Sequence, residues 1–126
     1  MISVDTEVWL SFARRERQVR RISELLRKGI AEVHPMVLAE LALGFSAGVV
    51  GARLRDLEQL VGPPPRLHEE VLSFARENGV MGAGIGYVDA HLLASAYLEG
   101  RLLWSSDSEV QRIAHRLGVG FRPGPD

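Results

Sequence analysis

Four acidic residues stand inside apolar stretches of this chain, where an ionised carboxylate is difficult to accommodate. They are Asp5, Glu40, Asp89 and Asp107. Removing a carboxylate from water is costly unless a partner compensates its charge, and no Lys or Arg stands within four residues of any of them. The chain must therefore fold so that each acid meets a partner from elsewhere. If the acids meet one another, the partner that stabilises them all is a hard divalent cation such as Mg²⁺ or Mn²⁺. Such a site would indicate metal-dependent chemistry on phosphate.

Short apolar runs alternate with amphipathic helical patterns along the 126 residues. Strands are predicted at residues 1–4, 30–34, 102–105 and 119–121. Helices are predicted at residues 6–13, over the basic stretch that ends at Gly29, from Pro35 to about 44–48, and at 52–61, 67–77, 87–99 and 108–117. This alternation indicates an α/β fold with a parallel sheet of four to five strands flanked by helices. The length fits one domain over residues 1–122, followed by a short C-terminal tail at 123–126.

In such a sheet, the functional site lies beyond the carboxyl ends of the strands. Asp5 and Asp107 each follow a predicted strand. Asp89 lies in the first turn of a predicted helix, and Glu40 lies near the second turn of another. We therefore predict one acidic site, in which Asp5 and Asp89 bind the metal directly. Glu40 and Asp107 are predicted to bind it directly or through water, and to orient the water that attacks phosphorus.

Two hydroxyl groups next to these acids are candidates to orient them by hydrogen bonds. They belong to Thr6 and Ser105. For each acid, the alternative interpretation is a helix cap or an ordinary surface charge. A cap is the foremost alternative for Asp107, because Asp commonly precedes a helix.

Composition and charge narrow the possible functions. The chain has no Cys, which excludes disulfides, thiolate catalysis and Cys-ligated zinc, and which fits a reducing compartment. Its first ten residues contain an acid and no basic cluster, so we do not expect a signal peptide, and no apolar run is long enough to suggest a membrane span. The net charge is −1, but residues 14–28 carry seven basic against two acidic side chains. This basic stretch is either a solvated helix face or a surface for phosphate or an acidic partner.

Four sequence motifs contain the acids and resemble a known family. They are VDTEVW at residues 4–9, AELALG at 39–44, GIGYVDAHLLASA at 84–96 and LWSSD at 103–107. In this order and spacing, they resemble the PIN-domain toxins of the VapC type. The resemblance implies a PIN-like three-layer sandwich and a cytoplasmic Mg²⁺- or Mn²⁺-dependent endoribonuclease, the toxin of a type II toxin–antitoxin pair. It places the family's catalytic acids on Asp5, Glu40, Asp89 and Asp107. Family members commonly have Ser where this chain has Glu7, and we expect this fifth acid to face solvent.

The same resemblance implies homodimers and a cognate antitoxin whose C-terminal segment covers the acidic pocket. The first two predicted helices offer Trp9 and Phe12 as apolar anchors for this partner. Arg20 and Arg21 are candidates to contact its acidic groups.

Two other functions remain open at this stage. One is a PIN fold that binds a partner without cutting RNA. The other is a phosphoaspartyl protein on a similar sheet. A receiver domain needs a late lysine, but the chain has only Lys28, and a haloacid-dehalogenase-like site needs Asp-x-Asp where the chain has Asp5, Thr6 and Glu7.

Overall fold

The fold is built around short parallel strands, seen in a computed structural model that describes residues 1–44, 54–60 and 62–125. The strands are β1 (Ile2–Val4), β2 (Ala31–Glu32) and β3 (Leu102–Trp104). The helices are α1 (Thr6–Ala13), α2 (Val19–Arg27), α3 (Pro35–Gly44), α4 (His68–Glu77), α5 (Tyr87–Glu99) and α6 (Ser108–Arg116). Residues 54–58 are also helical. The helix predicted over 52–61, and the predicted end of the preceding helix near 44–48, lie partly outside the described residues.

Strand β1 occupies the centre of the sheet, with β2 on one side and β3 on the other. All pairings are parallel, and Ile2 is aligned with both Ala31 and Leu102. Val4, at the end of β1, is aligned with Trp104 and is completely buried. A central strand reaches such burial only when helices cover the sheet. The predicted α/β fold with a parallel sheet flanked by helices is confirmed.

The predicted number of strands is too high for the described residues, in which three strands form. The predicted strand at 119–121 is reduced to one parallel bridge between Leu103 and Gly120. It rests on two hydrogen bonds, in which Leu103 N donates to Val119 O at 2.7 Å and Phe121 N donates to Leu103 O at 2.9 Å. Pro123 and Pro125 follow at once and have no N–H to continue a ladder.

Helix α5 contains the longest uninterrupted buried run of the described residues. Residues 91–96 are buried without interruption, because α5 lies between β3 and α4. It ends as predicted before Gly100, whose φ of 69° belongs to the left-handed conformation that glycine adopts easily. None of the described helices is long and apolar enough to cross a bilayer.

Helix α2 begins later than the basic stretch predicted. Arg15 and Gln18 have φ angles of 56° and 57°, in the left-handed region, so the chain turns before the helix starts at Val19. The helix buries Ile22 and Leu25 and keeps most of its basic side chains outside, as the helical spacing predicted.

A buried charge at the end of β2 is compensated by the residue that precedes β3. The side chain of Glu32 is 1% exposed, and its Oε1 lies 2.7 Å from Nε of Arg101. The N–H of Arg101 Nε is not aligned with this oxygen for a hydrogen bond. We therefore treat the contact as an ion pair, which links the two outer strands of the sheet.

Candidate active site

The carboxyl edge of the sheet opens into a cleft of about 760 Å³. Asp5 follows the last residue of β1, and Asp107 lies shortly after the end of β3. The cleft is lined by Asp5, Thr6, Glu7, Pro35, Met36, Ala39, Glu40, Leu43, Gly44, Pro65, Val88, Asp89, Ser106 and Asp107. The structure thus brings all four acids of the sequence motifs to one cleft, with apolar side chains on its walls.

Asp5 is the most buried of the four acids, with 7% of its surface exposed. It caps α1, and its Oδ1 accepts a hydrogen bond of 2.6 Å from the backbone N–H of Thr6. Its Oδ2 accepts one of 3.1 Å from the hydroxyl of Ser105. Burial raises the pKa of Asp5, as do the charges of Glu40 and Glu7, while the two hydrogen bonds oppose the increase. The carboxylate is therefore held in a fixed orientation at an electrostatic cost.

Glu40 reaches the cleft from the second turn of α3. Its Oε1 accepts a hydrogen bond of 2.5 Å from the hydroxyl of Thr6, which stands at the start of α1. This bond joins two helices through residues 34 positions apart in sequence. Thr6 therefore fixes Glu40 through its side chain and Asp5 through its backbone.

Asp89 shows most directly that the acids share one electrostatic environment. It lies in the first turn of α5 and is partly buried. Its pKa is raised from 3.8 to about 6, first by burial and then by the charges of Asp5, Asp107 and Glu40. A hydrogen bond from the backbone of Gly86 acts in the opposite direction.

Asp107 caps α6 and also lines the cleft. Its Oδ1 accepts hydrogen bonds from the backbone N–H groups of Glu109 and Val110, at 2.9 and 3.0 Å. Its own N–H donates to the hydroxyl oxygen of Ser105 at 3.1 Å. Because that hydroxyl donates to Asp5, Ser105 connects the two acids that follow β1 and β3. The helix cap that we considered as the alternative for Asp107 is present, together with a position at the site.

The donor chemistry of the cleft fits a hard divalent cation. Its polar side chains offer only oxygen atoms, and none of the described residues that line it is Lys, Arg or His. In the described part of the chain, however, no three His, Asp or Glu residues are close enough together to hold an ion. One oxygen of Glu40 accepts the bond from Thr6, and one oxygen of Asp107 accepts bonds from the α6 backbone. Metal binding would require these carboxylates to turn from their protein donors.

The residues predicted to contact a partner are placed less favourably. Trp9 and Phe12 are 1% and 8% exposed and belong to the core, so they offer a partner almost no surface. Arg20 is exposed, as expected. Arg21 is partly covered, and it donates to the carbonyl of Pro123 at 2.9 Å and contacts Glu24 at 3.3 Å. The C-terminal residues therefore lie against α2.

Glu7 is a fifth acid near the site, as the sequence indicated, and it lies at the rim of the cleft. It is exposed, as predicted, but it also lines the cleft, and its charge raises the pKa of Asp5. Its position two residues after Asp5, on the first turn of α1, was the signal that could have placed it at the rim.

A parallel sheet with an acidic cleft at its carboxyl edge is the arrangement that the resemblance to PIN domains predicted. Comparison with known families identifies the same family. The family model described as "PIN domain" matches residues 2–116, and the chain belongs to this family. Two curated relatives carry the name "Ribonuclease VapC32", from Mycobacterium tuberculosis strains CDC 1551 / Oshkosh and ATCC 25618 / H37Rv. Each is 38% identical over 124 residues, which cover 96% of this chain and 96% of the relative. No solved structure matches the chain. The resemblance to PIN-domain toxins of the VapC type is confirmed.

Proposed function

We propose that the chain is a metal-dependent endoribonuclease that acts as the toxin of a toxin–antitoxin pair and hydrolyses RNA phosphodiester bonds. The observation that carries the proposal is the convergence of Asp5, Glu40, Asp89 and Asp107 on one cleft, to which the described residues contribute no basic side chain. The relatives named as ribonucleases, aligned over nearly the whole chain, support RNA as the substrate.

Asp5 and Asp89 are the residues that would hold the cation directly, because both are partly or wholly buried and both have raised pKa values. Glu40 and Asp107 would contribute directly or through water. When bound, Mg²⁺ or Mn²⁺ supplies an activated water and offsets charge on the scissile phosphate.

The surrounding residues keep the acids in place. Ser105 orients Asp5 and accepts a hydrogen bond from the backbone of Asp107, so one hydroxyl links the two acids. Thr6 positions Glu40 relative to the cap of α1.

A cognate antitoxin and a second copy of the chain are the proposed partners, in the cytoplasm. An acidic cleft whose described lining has no Lys or Arg is suited to receive an antitoxin Arg, which can pair bidentately with Asp5 or Asp89 and compete with the metal. We retain Arg20 and Arg21 as partner-binding residues. Trp9 and Phe12 are not retained as anchors, because they are buried.

A PIN-fold module that binds without cutting is the second candidate. It is favoured by the protein donors that already engage Glu40 and Asp107. The phosphoaspartyl alternative has lost its basis, because the chain belongs to the PIN-domain family.

The test is cleavage of end-labelled single-stranded RNA by the purified chain, with Mg²⁺ or Mn²⁺ and with EDTA. We expect cleavage only with metal. Asp5→Asn and Asp89→Asn should each lower the rate by about 100-fold or more, and the double variant should lose little further, because groups that act as one unit are not additive. Asp56→Asn, an exposed change outside the cleft, is the matched control. Cleavage that persists in EDTA, or in Asp5→Asn, would contradict the proposed mechanism.

A further inference from the structure

A second groove continues from the acidic cleft over its rim. This side groove has a volume of about 420 Å³, within the usual range of small-ligand sites. It is lined by Glu7, Val8, Ser11, Glu16, Arg17, Gln18, Trp104, Ser105, Ser106, Gln111 and Pro123. Glu7 and Ser106 line both the cleft and the side groove. An RNA strand whose phosphate lies at the acids therefore has a continuous path into the side groove.

The side groove contains a buried hydroxyl that the protein leaves unsatisfied. Ser11 Oγ is inaccessible to solvent and has no hydrogen-bond partner among the described residues. Leaving a buried polar atom unpaired costs about 1–3 kcal/mol, and rotation about χ1 of Ser11 would turn this hydroxyl into the groove, where a ligand could complete it.

Gln111 connects the side groove with the acids. Its Nε2 donates a hydrogen bond of 2.6 Å to the carbonyl of Ser105, whose hydroxyl donates to Asp5. This bond fixes the plane of the Gln111 side-chain amide. The amide oxygen can accept a hydrogen bond from a ligand, and the second N–H can donate one. A ligand that binds Gln111 therefore lies beside the catalytic cleft.

The charges of the side groove select the part of a nucleotide that can occupy it. Glu7 and Glu16 oppose Arg17 in the lining, and Glu16 also lies 3.9 Å from Arg14, so the side groove offers a phosphate no net positive charge. An uncharged base and ribose are accommodated better, because hydroxyl and amide groups can bond their edges and a planar guanidinium can stack on a base. The segment that carries Arg17 is held by the left-handed residues Arg15 and Gln18, a form of backbone strain that is concentrated at functional sites.

We propose that the side groove binds the base and ribose of the nucleotide next to the scissile phosphate, and that Ser11 and Gln111 select this base. The inference rests on the proposed ribonuclease function and adds a specificity site to it. It assigns no role in metal binding to the side groove.

The first test measures base preference. Unaltered protein, Ser11→Ala and Gln111→Ala are given a single-stranded RNA pool of randomised sequence with Mn²⁺, and the cut ends are mapped by sequencing. Each variant should lower kcat/KM for the preferred base at one flanking position by about tenfold and leave the other positions unchanged. Ser73→Ala and Gln59→Ala, at exposed positions outside the side groove, are matched controls. Ser11→Ala should not lower the melting temperature, because the hydroxyl makes no protein hydrogen bond.

The second test separates this inference from the proposed function. Binding of A, C and U hexamers to the Asp5→Asn protein is measured by fluorescence anisotropy in EDTA, with and without Ser11→Ala or Gln111→Ala. We expect unequal affinities that become more equal in either variant. An unchanged preference in both tests would overturn the inference while leaving ribonuclease activity intact. Absence of cleavage by the unaltered chain would contradict the proposed function, and the binding test would still decide the role of the side groove.

Discussion

Replacing Asp89 with Asn should stabilise the metal-free protein at neutral pH and have little effect in acid. Burial and the charges of Asp5, Asp107 and Glu40 raise the pKa of Asp89 from 3.8 to about 6 in the folded protein. The folded state therefore holds this proton more tightly than the unfolded chain does. As the pH rises from the unfolded to the folded pKa, the unfolding free energy falls, and the loss is complete above about pH 6.

The size of this effect follows from the pKa difference. Between 3.8 and about 6 it corresponds to at most about 3 kcal/mol, at about 1.4 kcal/mol for each tenfold change in proton affinity. Asp89 is partly exposed, so solvent screening reduces the expected gain in Asp89→Asn to about 1–2 kcal/mol. For a domain of 126 residues, this is an increase in melting temperature of about 4–8 °C.

The assay is thermal unfolding followed by circular dichroism in EDTA, at about pH 4 and about pH 7.5. Asp56→Asn removes an exposed carboxylate outside the cleft and should change neither melting temperature appreciably. A destabilised Asp89→Asn protein at neutral pH, or an equal effect at both pH values, would refute the raised pKa of Asp89.

Further predictions concern a hydrogen bond at the site, the buried ion pair of the sheet and the proposed partner-binding arginines. Ser105→Ala removes the hydroxyl bond to Asp5 and should lower the unfolding free energy by about 1–2 kcal/mol in urea denaturation. Arg101→Leu leaves the buried carboxylate of Glu32 unpaired and should lower the unfolding free energy by about 3 kcal/mol in the same assay. Arg20→Glu with Arg21→Glu should weaken antitoxin binding, measured by calorimetry, more at low salt than at high salt. Equal losses at both salt concentrations would assign these arginines to a solvated face.

The helices that bury a continuous face were predictable from the sequence. Both α1 (Thr6–Ala13) and α5 (Tyr87–Glu99) have the predicted bounds, because apolar spacing specifies both helices and Gly100 ends α5. The predicted start of α2 was wrong, because Arg and Gln rarely adopt the left-handed backbone found at Arg15 and Gln18, and the sequence gives no sign of it. The number of strands was wrong because a strand exists only where a neighbour pairs with it. Residues 119–121 pair too briefly.

The convergence of the acids was predictable for a similar reason. Asp5 and Asp107 follow parallel neighbouring strands, and this topology brings them to one edge. The bond from Thr6 to Glu40 was not predictable in detail, because it depends on how α1 and α3 pack. The burial of Trp9 likewise follows from tertiary packing, and an aromatic residue on an amphipathic helix is equally compatible with a core and with an interface.

Calorimetric titration of the purified protein with Mn²⁺ measures whether the four carboxylates form a divalent-cation site. We predict saturable binding that raises the melting temperature, because a cation that binds only the folded state stabilises it. Asp5→Asn combined with Asp89→Asn should abolish both the heat of binding and the thermal shift, while Asp56→Asn should preserve them. Unchanged Mn²⁺ binding by the double variant, or no binding by the unaltered chain, would contradict a divalent-cation site at these carboxylates.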